Sequence, residues 1–575
     1  MRPAIKIERV DNLPIILIWL IKMKVDVLID SIWSPHGNWQ GLSYGRLAVL
    51  FITYVIQSRT HNLSKMEKWV EDHSNVLEGF TGWKIRKKEA TDDRLGILLE
   101  NLGQDEESIY EMQQSLSKHQ IQAFELPTKV ARYDTTSFSI HHEPNKPGEA
   151  THELLRFGHS KDYRPDLLQF KQGLGTLDPV GVPIYTDTVS GETADDGLYI
   201  PAWKAMAEAI GHPDFLFVCD CKAANMETRA TIQDGKGRYL FPVPLTGETP
   251  EWLQKQVLSQ KALPIILAEI KDKDGKPKEY GQGFVVQVER SHQLADGTDV
   301  TWTEQGFVTQ SKTHAYRKCQ ALQARLTRAR KSLDSLKAKA DEEVTSFQHR
   351  AKQILKRHNV TAFFTLSVTK TVSKKKRYLK PGRPAPNTPY EIEKVRKLQL
   401  NYQELDESIE LAIHMAGWRL YVTNASSDEI SLEQAMLHYR EEWQVEHGMH
   451  RFKKGALPVI PLSIRLPDRI RGLMLLLFIA LQALTLIEFV ARRSLQKQDT
   501  AISGLIPGNP KRSLERPSAE RLLAVFDPLH LVIDTTAKPI LCFLNEHLTP
   551  LQERVLELLD LPVEIYHFHD TTLPP

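Results

Sequence analysis

Apolar positions are spaced in two ways along this chain, and the spacing changes near residue 126. Before it, Leu47, Leu50, Phe51 and Tyr54 recur at helical intervals. Ser64-Lys-Met-Glu67 has the form of a capping box, in which the Ser oxygen caps a helix and the Glu reaches back. Residues 1–125 are therefore expected to form a helical domain, suited to packing or to holding DNA. Beyond 126 strands begin. Val130 to Ile140 alternates, with Asp134, Thr136, Phe138 and Ile140 on one side. Phe215 to Cys219 is a continuous apolar run, as expected of a strand buried on both faces of an α/β sheet. Asp220 follows at its carboxyl end, where open α/β sheets place their ligands.

Further on, Gly283 to Val288 is strand-like. Residues 312 to 357 read as charged helices, and Val360 to Val372 as a strand followed by Lys374, Lys375, Lys376 and Arg377. Lys380 to Pro389 is a Pro-rich linker. Alternation returns at Trp418 to Thr423. Ser431-Leu-Glu-Gln434 then opens a helix with a second capping box, and that helix is expected to run to about Lys453. Past Pro458 the chain reads as helical again. Its longest apolar run, Leu473 to Leu481, extends to Val490 only across Gln482 and Glu488. A spanning helix needs about 20 apolar residues, so this run reads as a buried helix, and no membrane is expected as a partner.

At 575 residues, two to four domains are expected. Hydrophobic and charged contents of 41% and 25% are those of a soluble globular protein. The net charge of +2 says nothing about nucleic acid, so local distribution has to decide. Residues 312–380 hold 19 Lys and Arg against 4 Asp and Glu. Such a surplus, with Lys374 to Arg377 clustered in it, fits a surface for phosphate backbones. Four cysteines are too few for a disulfide framework. Cys219 and Cys221 lack the second ligand pair of a zinc site and simply flank Asp220.

The helix after Ser431 carries Tyr439, Glu442, Glu446 and Lys453, at offsets that fall on one helical face. Alone, this could be a solvated charged face. Together with Asp134 and Asp220 at or near strand ends, Glu446 completes a carboxylate trio of the kind that holds two Mg²⁺ ions for in-line displacement at phosphorus. Asp195 and Asp196 are weaker candidates, since neither ends an apolar run.

The segment Tyr439 to Lys453 resembles the Y-x2-R-x3-E-x6-K signature of DDE transposases of the IS4 superfamily, and is most similar to the IS1634-type branch. ARYDTTSF around Asp134, FLFVCDCKAANMET around Asp220, and the segments Gly158 to Phe170, Val189 to Asp196 and Thr91 to Gly103 also resemble it, over roughly residues 5 to 490. The resemblance implies an α/β, RNase H-like catalytic core interrupted by a large insertion, with helical N- and C-terminal regions. It implies the core in two parts, 126–239 and 411–457, an insertion domain at 240–410 and a C-terminal helical region at 458–575. Asp134, Asp220 and Glu446 would be the catalytic, metal-holding residues, with two Mg²⁺ ions or Mn²⁺ as substitute. The activity implied is cleavage at the ends of an insertion sequence, then strand transfer into target DNA by transesterification. Partners would be terminal inverted repeats and target DNA, held by a homodimer, in the cytoplasm and nucleoid of a bacterium.

Two departures stand out. The family's Arg falls on Glu442, and Arg440 points about 160° away from it on an ideal helix. Glu192 replaces an Asn. Tyr439 and Lys453 are carried over as DNA-backbone contacts, joined by Arg440, Lys161, Arg164, Lys374, Lys375, Lys376 and Arg377. Glu442 also leaves open an inactive or repurposed transposase that only binds DNA.

Overall fold

The computed structural model describes residues 5–143, 153–271, 275–379, 381–534, 536 and 541–567. A short strand, β1 (Ile5–Arg9), precedes seven helices: α1 (Leu13–Lys22), α2 (Val25–Ile32), α3 (Tyr44–Ser58), α4 (Leu63–Asp72), α5 (Ser74–Thr81), α6 (Asp92–Gly103) and α7 (Glu106–Phe124). Apart from β1 this part is helical, and Leu47, Leu50, Phe51 and Tyr54 are all buried on α3. The first capping box is not formed. Helix α4 begins a residue before Ser64, and Asn62 caps it by accepting from the Ser64 N–H.

The sheet segments follow: β2 (Val130–Ile140), β3 (Leu168–Leu177), β4 (Val182–Ser190), α8 (Tyr199–Ile210), β5 (Leu216–Val218), α9 (Met226–Asp234), β6 (Arg238–Pro242), α10 (Thr249–Ser259), β7 (Leu263–Lys271), β8 (Pro277–Gln293) and β9 (Asp299–Ser311). Next come α11 (Lys312–Asp334), α12 (Val344–Arg357), β10 (Phe364–Tyr378), β11 (Tyr390–Glu404), α13 (Asp406–His414), β12 (Trp418–Thr423), α14 (Leu432–Arg440) and α15 (Trp443–Lys453). The chain closes with α16 (Pro467–Lys497), α17 (Ala519–Ala524), β13 (His530–Asp534), β14 (Leu541–Leu544) and α18 (Pro550–Leu558).

Nine strands make one mixed sheet in the order β4-β3-β2-β5-β6-β12-β9-β8-β7. Strands β2, β3 and β4 are antiparallel, while β5 and β6 run parallel to β2. The stretch 240–410 divides between two settings. Strands β7, β8 and β9 extend the sheet beyond β12. Helices α11 and α12 and the β10–β11 hairpin instead build a small core of their own around Leu326, Leu333, Leu355 and Phe364. Lys374 to Arg377 lie inside β10 rather than after a strand; of the expected Lys380 to Pro389 linker, residues 381–389 belong to the connection of that hairpin and Lys380 lies outside the described residues.

The end regions meet. β1 pairs with β13, so the C-terminal region is not purely helical, and the Tyr566 hydroxyl donates to the Asp11 carbonyl. Helix α16 is long and apolar enough to cross a membrane, and its apolar stretch is wholly buried inside the fold. It packs on α3, α6, β4, α15, α17 and α18. A Cβ on Gly103 would stand 1.8 Å from the Asp468 carbonyl oxygen, and one on Gly472 2.0 Å from that of Leu99. Helices α6 and α16 therefore meet backbone to backbone, as only glycine allows.

Candidate active site

The parallel register pairs Arg132 with Val218. Continued by two residues, it sets Asp220 level with Asp134 across neighbouring strands. The apolar run ends in β5 as expected, between β2 and β6, and Asp220 caps the 3-10 turn that follows by accepting from the Lys222 N–H. The Tyr199 hydroxyl donates to the same Asp220 oxygen at 2.5 Å.

Asp134 has a quarter of its side chain exposed. Lys161 Nζ lies 3.3 Å from Asp134 Oδ1 and donates to Thr135 Oγ1 at 2.9 Å and to the Thr135 carbonyl. Burial raises the Asp134 carboxyl above its usual range; Lys161 opposes the shift and Asp220 adds to it.

The second capping box forms, with Ser431 and Gln434 exchanging both bonds. The helix it opens does not reach Lys453 unbroken. It stops at Arg440, and a new helix starts at Trp443 with Glu442 at its N-cap. An ion pair lies below the corner. The Arg132 guanidinium, 1% exposed, grips Asp178 through two bonds of 2.7 Å and lies 3.8 Å from Glu441. The expected single face is thus made of two helices, although the Tyr439 hydroxyl still bonds to Glu442.

Helix α15 lies against β2 and β3. A Cβ on Gly448 would meet Leu174 Cδ2 at 2.8 Å, so this glycine sets how closely the helix approaches the strand beside Asp134. Glu446 is exposed in the first turn of α15. Glu442, one turn before it, is half-buried, and burial with the charges of Asp134, Glu446 and Asp220 pushes its carboxyl up to about 7. Four carboxylates therefore share one field, with Lys161 as the cation on Asp134.

The remaining residues expected to contact DNA fall in different places. Lys453 is held by Asp162 at 2.7 and 2.9 Å. Arg164 pairs with Asp166 on the surface, which holds the Asp166 carboxyl down at about 2. Arg440 lies over the Tyr280 ring, 5.8 Å from its centroid. Tyr439 packs edge-on against Tyr421. Lys374, Lys375, Lys376 and Arg377 are exposed on the β10–β11 hairpin.

Sequence reasoning missed two participants, Glu442 and Tyr199, and weighed Asp195 only as a weaker candidate. Glu442 was set aside as a departure from the signature, although its i,i+4 spacing to Glu446 is a signal of proximity. Nothing local marks Tyr199, whose place depends on the packing of α8. Asp195 is 3% exposed between Lys171 at 2.7 Å and Lys222 at 2.5 Å, a buried ion group. A tighter cluster, Asp178, His438 and Glu441, has its ligand atoms within 4.8 Å of one another. Arg132 already occupies it as the counter-charge.

The fold and site define an α/β protein whose central strands and a following helix bring acidic side chains together at one edge. The sequence profile of the family described as a transposase DDE domain matches residues 134–482, opening at Asp134 and taking in Asp220, Glu442 and Glu446. That is more than half of the chain, and the chain belongs to this family. No curated protein matches it. Among solved structures, a cryo-EM structure of a piggyBac transposase synaptic complex with hairpin DNA is similar, with 12% identity and a TM-score of 0.25, over 60% of this chain and 65% of that one.

Proposed function

We propose that this protein is a transposase of an insertion sequence, in the IS4 superfamily and most similar to its IS1634-type branch. It cleaves DNA at the element's ends and joins the freed 3′-OH to target DNA by transesterification. The observation that carries the reading is the shared field of Asp134, Asp220, Glu442 and Glu446 within the matched family region. The order β4-β3-β2-β5-β6, three antiparallel strands followed by two parallel ones, supports an RNase H-like core, interrupted between β6 and β12.

The donor set suits hard divalent cations, Mg²⁺ or Mn²⁺. It is all oxygen, and beside it burial, with the charges of Asp134, Glu446 and Asp220, pushes the Glu442 carboxyl up to about 7. Asp134, Asp220 and Glu446 would hold the cations. When bound, two such ions supply Lewis-acid activation of the attacking oxygen and charge neutralisation at the leaving one. Tyr199 fixes one oxygen of Asp220. Lys161 holds Asp134 against Thr135 and sits where it can also meet a phosphate. Terminal repeats and target DNA are the partners, and pairing two ends implies a dimer on DNA.

Glu442 at the family's Arg position favours one second reading, a repurposed transposase that binds DNA without cutting it. Single Asp134→Asn, Asp220→Asn and Glu446→Gln variants decide between them, assayed on end DNA with Mg²⁺. Each should lose cleavage by about a hundredfold or more while retaining binding. A variant cleaving at the parental rate removes that residue from the set, and a parental protein that binds ends but never nicks them establishes the second reading.

A further inference from the structure

Strands β10 and β11 pair without a slip from Phe364↔Glu404 to Tyr378↔Tyr390. Each cross-strand pair therefore shares one face of the ribbon. The inner end is anchored, with Phe364 buried and Leu366, Leu400 and Tyr402 packed on the small core beneath. Outward of Lys370, the residues of β10 are all exposed, as are those of β11 up to Lys397.

Alternation sorts the charge on this outer part. One face carries Lys370, Lys374 and Lys376 from β10 and Lys394 and Arg396 from β11, with no acid among them. Val372, Ile392, Tyr378 and Tyr390 stand between these cations. Lys376 Nζ lies 4.2 Å from the Tyr390 ring centroid, and the two tyrosine rings are 5.9 Å apart. Arg396 lies 3.8 Å from the exposed Glu343, a pairing worth little in water. On the other face, Lys375 stands opposite Glu393 and Arg377 opposite Glu391, with Lys397 as the third cation. A run that is one basic cluster in sequence is thus split, and only half of it lacks acidic neighbours across the ribbon.

We propose that the face bearing Lys370, Lys374, Lys376, Lys394 and Arg396 lies along duplex DNA, and that the face bearing Lys375 and Arg377 does not. This rests on the reading of the protein as a transposase and assigns the surface that holds DNA outside the carboxylate site. Charge complementarity selects the occupant, since five cations without an acid match a polyanion. Shape agrees, because the major groove admits a two-stranded ribbon. Nine residues at about 3.3 Å each span roughly 30 Å, close to nine base pairs at about 3.4 Å. The tyrosines at the tip add flat apolar area between the cations.

The test compares two full-length triple variants of equal charge change. Lys374→Gln, Lys376→Gln and Lys394→Gln neutralise one face; Lys375→Gln, Arg377→Gln and Lys397→Gln neutralise the other. All six residues are exposed, and circular dichroism checks that both variants keep the parental fold. Affinity for a 40-base-pair random-sequence duplex is measured across salt, with phosphatidylglycerol vesicles as the second probe. The first variant should lose about 2.7 from the slope of log K against log salt, and roughly a hundredfold in affinity at about 0.1 M. The second should lose less than about 1 from the slope. Equal losses, no loss in either, or a loss confined to vesicles overturns the proposal. If the parental protein binds no duplex at low salt, the transposase reading fails with it. If it binds and the variants lose equally, only the choice of face fails.

Discussion

Glu442 stands where negative charges meet with little to offset them. Burial and the charges of Asp134, Glu446 and Asp220 hold its carboxyl up at about 7, against 4.5 for the free group. In the unfolded chain the proton leaves near 4.5, so between the two values the folded state binds more protons. Stability must then fall as pH rises through that window. A Glu442→Gln variant keeps an acceptor for Tyr439 and removes the charge. In chelator at pH 8 it should be more stable than the parent by on the order of 1 kcal/mol. The difference should shrink on acidification and vanish below pH about 4.5. Urea unfolding at three pH values measures this; a variant that is less stable at pH 8 would show that Glu442 is satisfied as a charge. The same residue shows what the sequence could and could not convey. Asp220 stands out in the sequence because an apolar run ends on it, whereas Glu446 is read from a single register, Tyr439 to Lys453, that the break after Arg440 interrupts. That Glu442 joins them, instead of standing as a gap in a signature, depends on a convergence of β2, β5 and α15 that local spacing does not encode.

Elements are less faithfully written in the sequence at their junctions than in their interiors. Strand β2 and the capping box at Ser431 are read correctly because alternation and Ser–Gln spacing are local signals. The corner between α14 and α15 is not, since no local signal marks it; Arg132 on β2 pairs with Asp178 beneath it and lies 3.8 Å from Glu441. This ion pair lies two residues from Asp134 and, at Glu441, one from Glu442. Removing Arg132 leaves Asp178, only 11% exposed in its side chain, without its main cation. Breaking such a pair costs about 3–5 kcal/mol. Arg132→Met should therefore lower the unfolding free energy by about 3 kcal/mol, and Asp178→Asn in the same chain should restore a large part of it. Denaturant melts of the two single variants and the double variant measure the coupling. A loss under about 1 kcal/mol for Arg132→Met would show that the pair contributes no more than an exposed one.

At the scale of the molecule, one buried helix and one detour decide the architecture. Helix α16 has the length and apolarity of a membrane span, but its apolar stretch is wholly buried by protein, and its buried acid is paired in place. Glu488, 0% exposed, binds Arg451 and Arg492 and accepts from the Ala519 N–H. The detour is the stretch between β9 and β12. Its small core is separate from the main one, and it leaves and returns at one place: a Cβ on Gly417 would lie 2.7 Å from the Ala315 backbone, and the Cys319 thiol reaches toward the Ile413 carbonyl. A module whose ends touch can be cut out without stretching what remains, since closing a short loop costs little entropy. Joining residue 316 to residue 416 through a short Gly-Ser turn should therefore leave β9 and β12 paired as they are, with Phe307 opposite Tyr421. The shortened protein should melt cooperatively within a few degrees of the parent, and its affinity for duplex DNA should fall by at least about tenfold at low salt. Calorimetry and a duplex titration measure the two outcomes separately. A shortened chain that no longer folds would make α11 to α13 part of the sheet's support, and one that folds and binds duplex as tightly as the parent would move the DNA surface to the carboxylate edge alone.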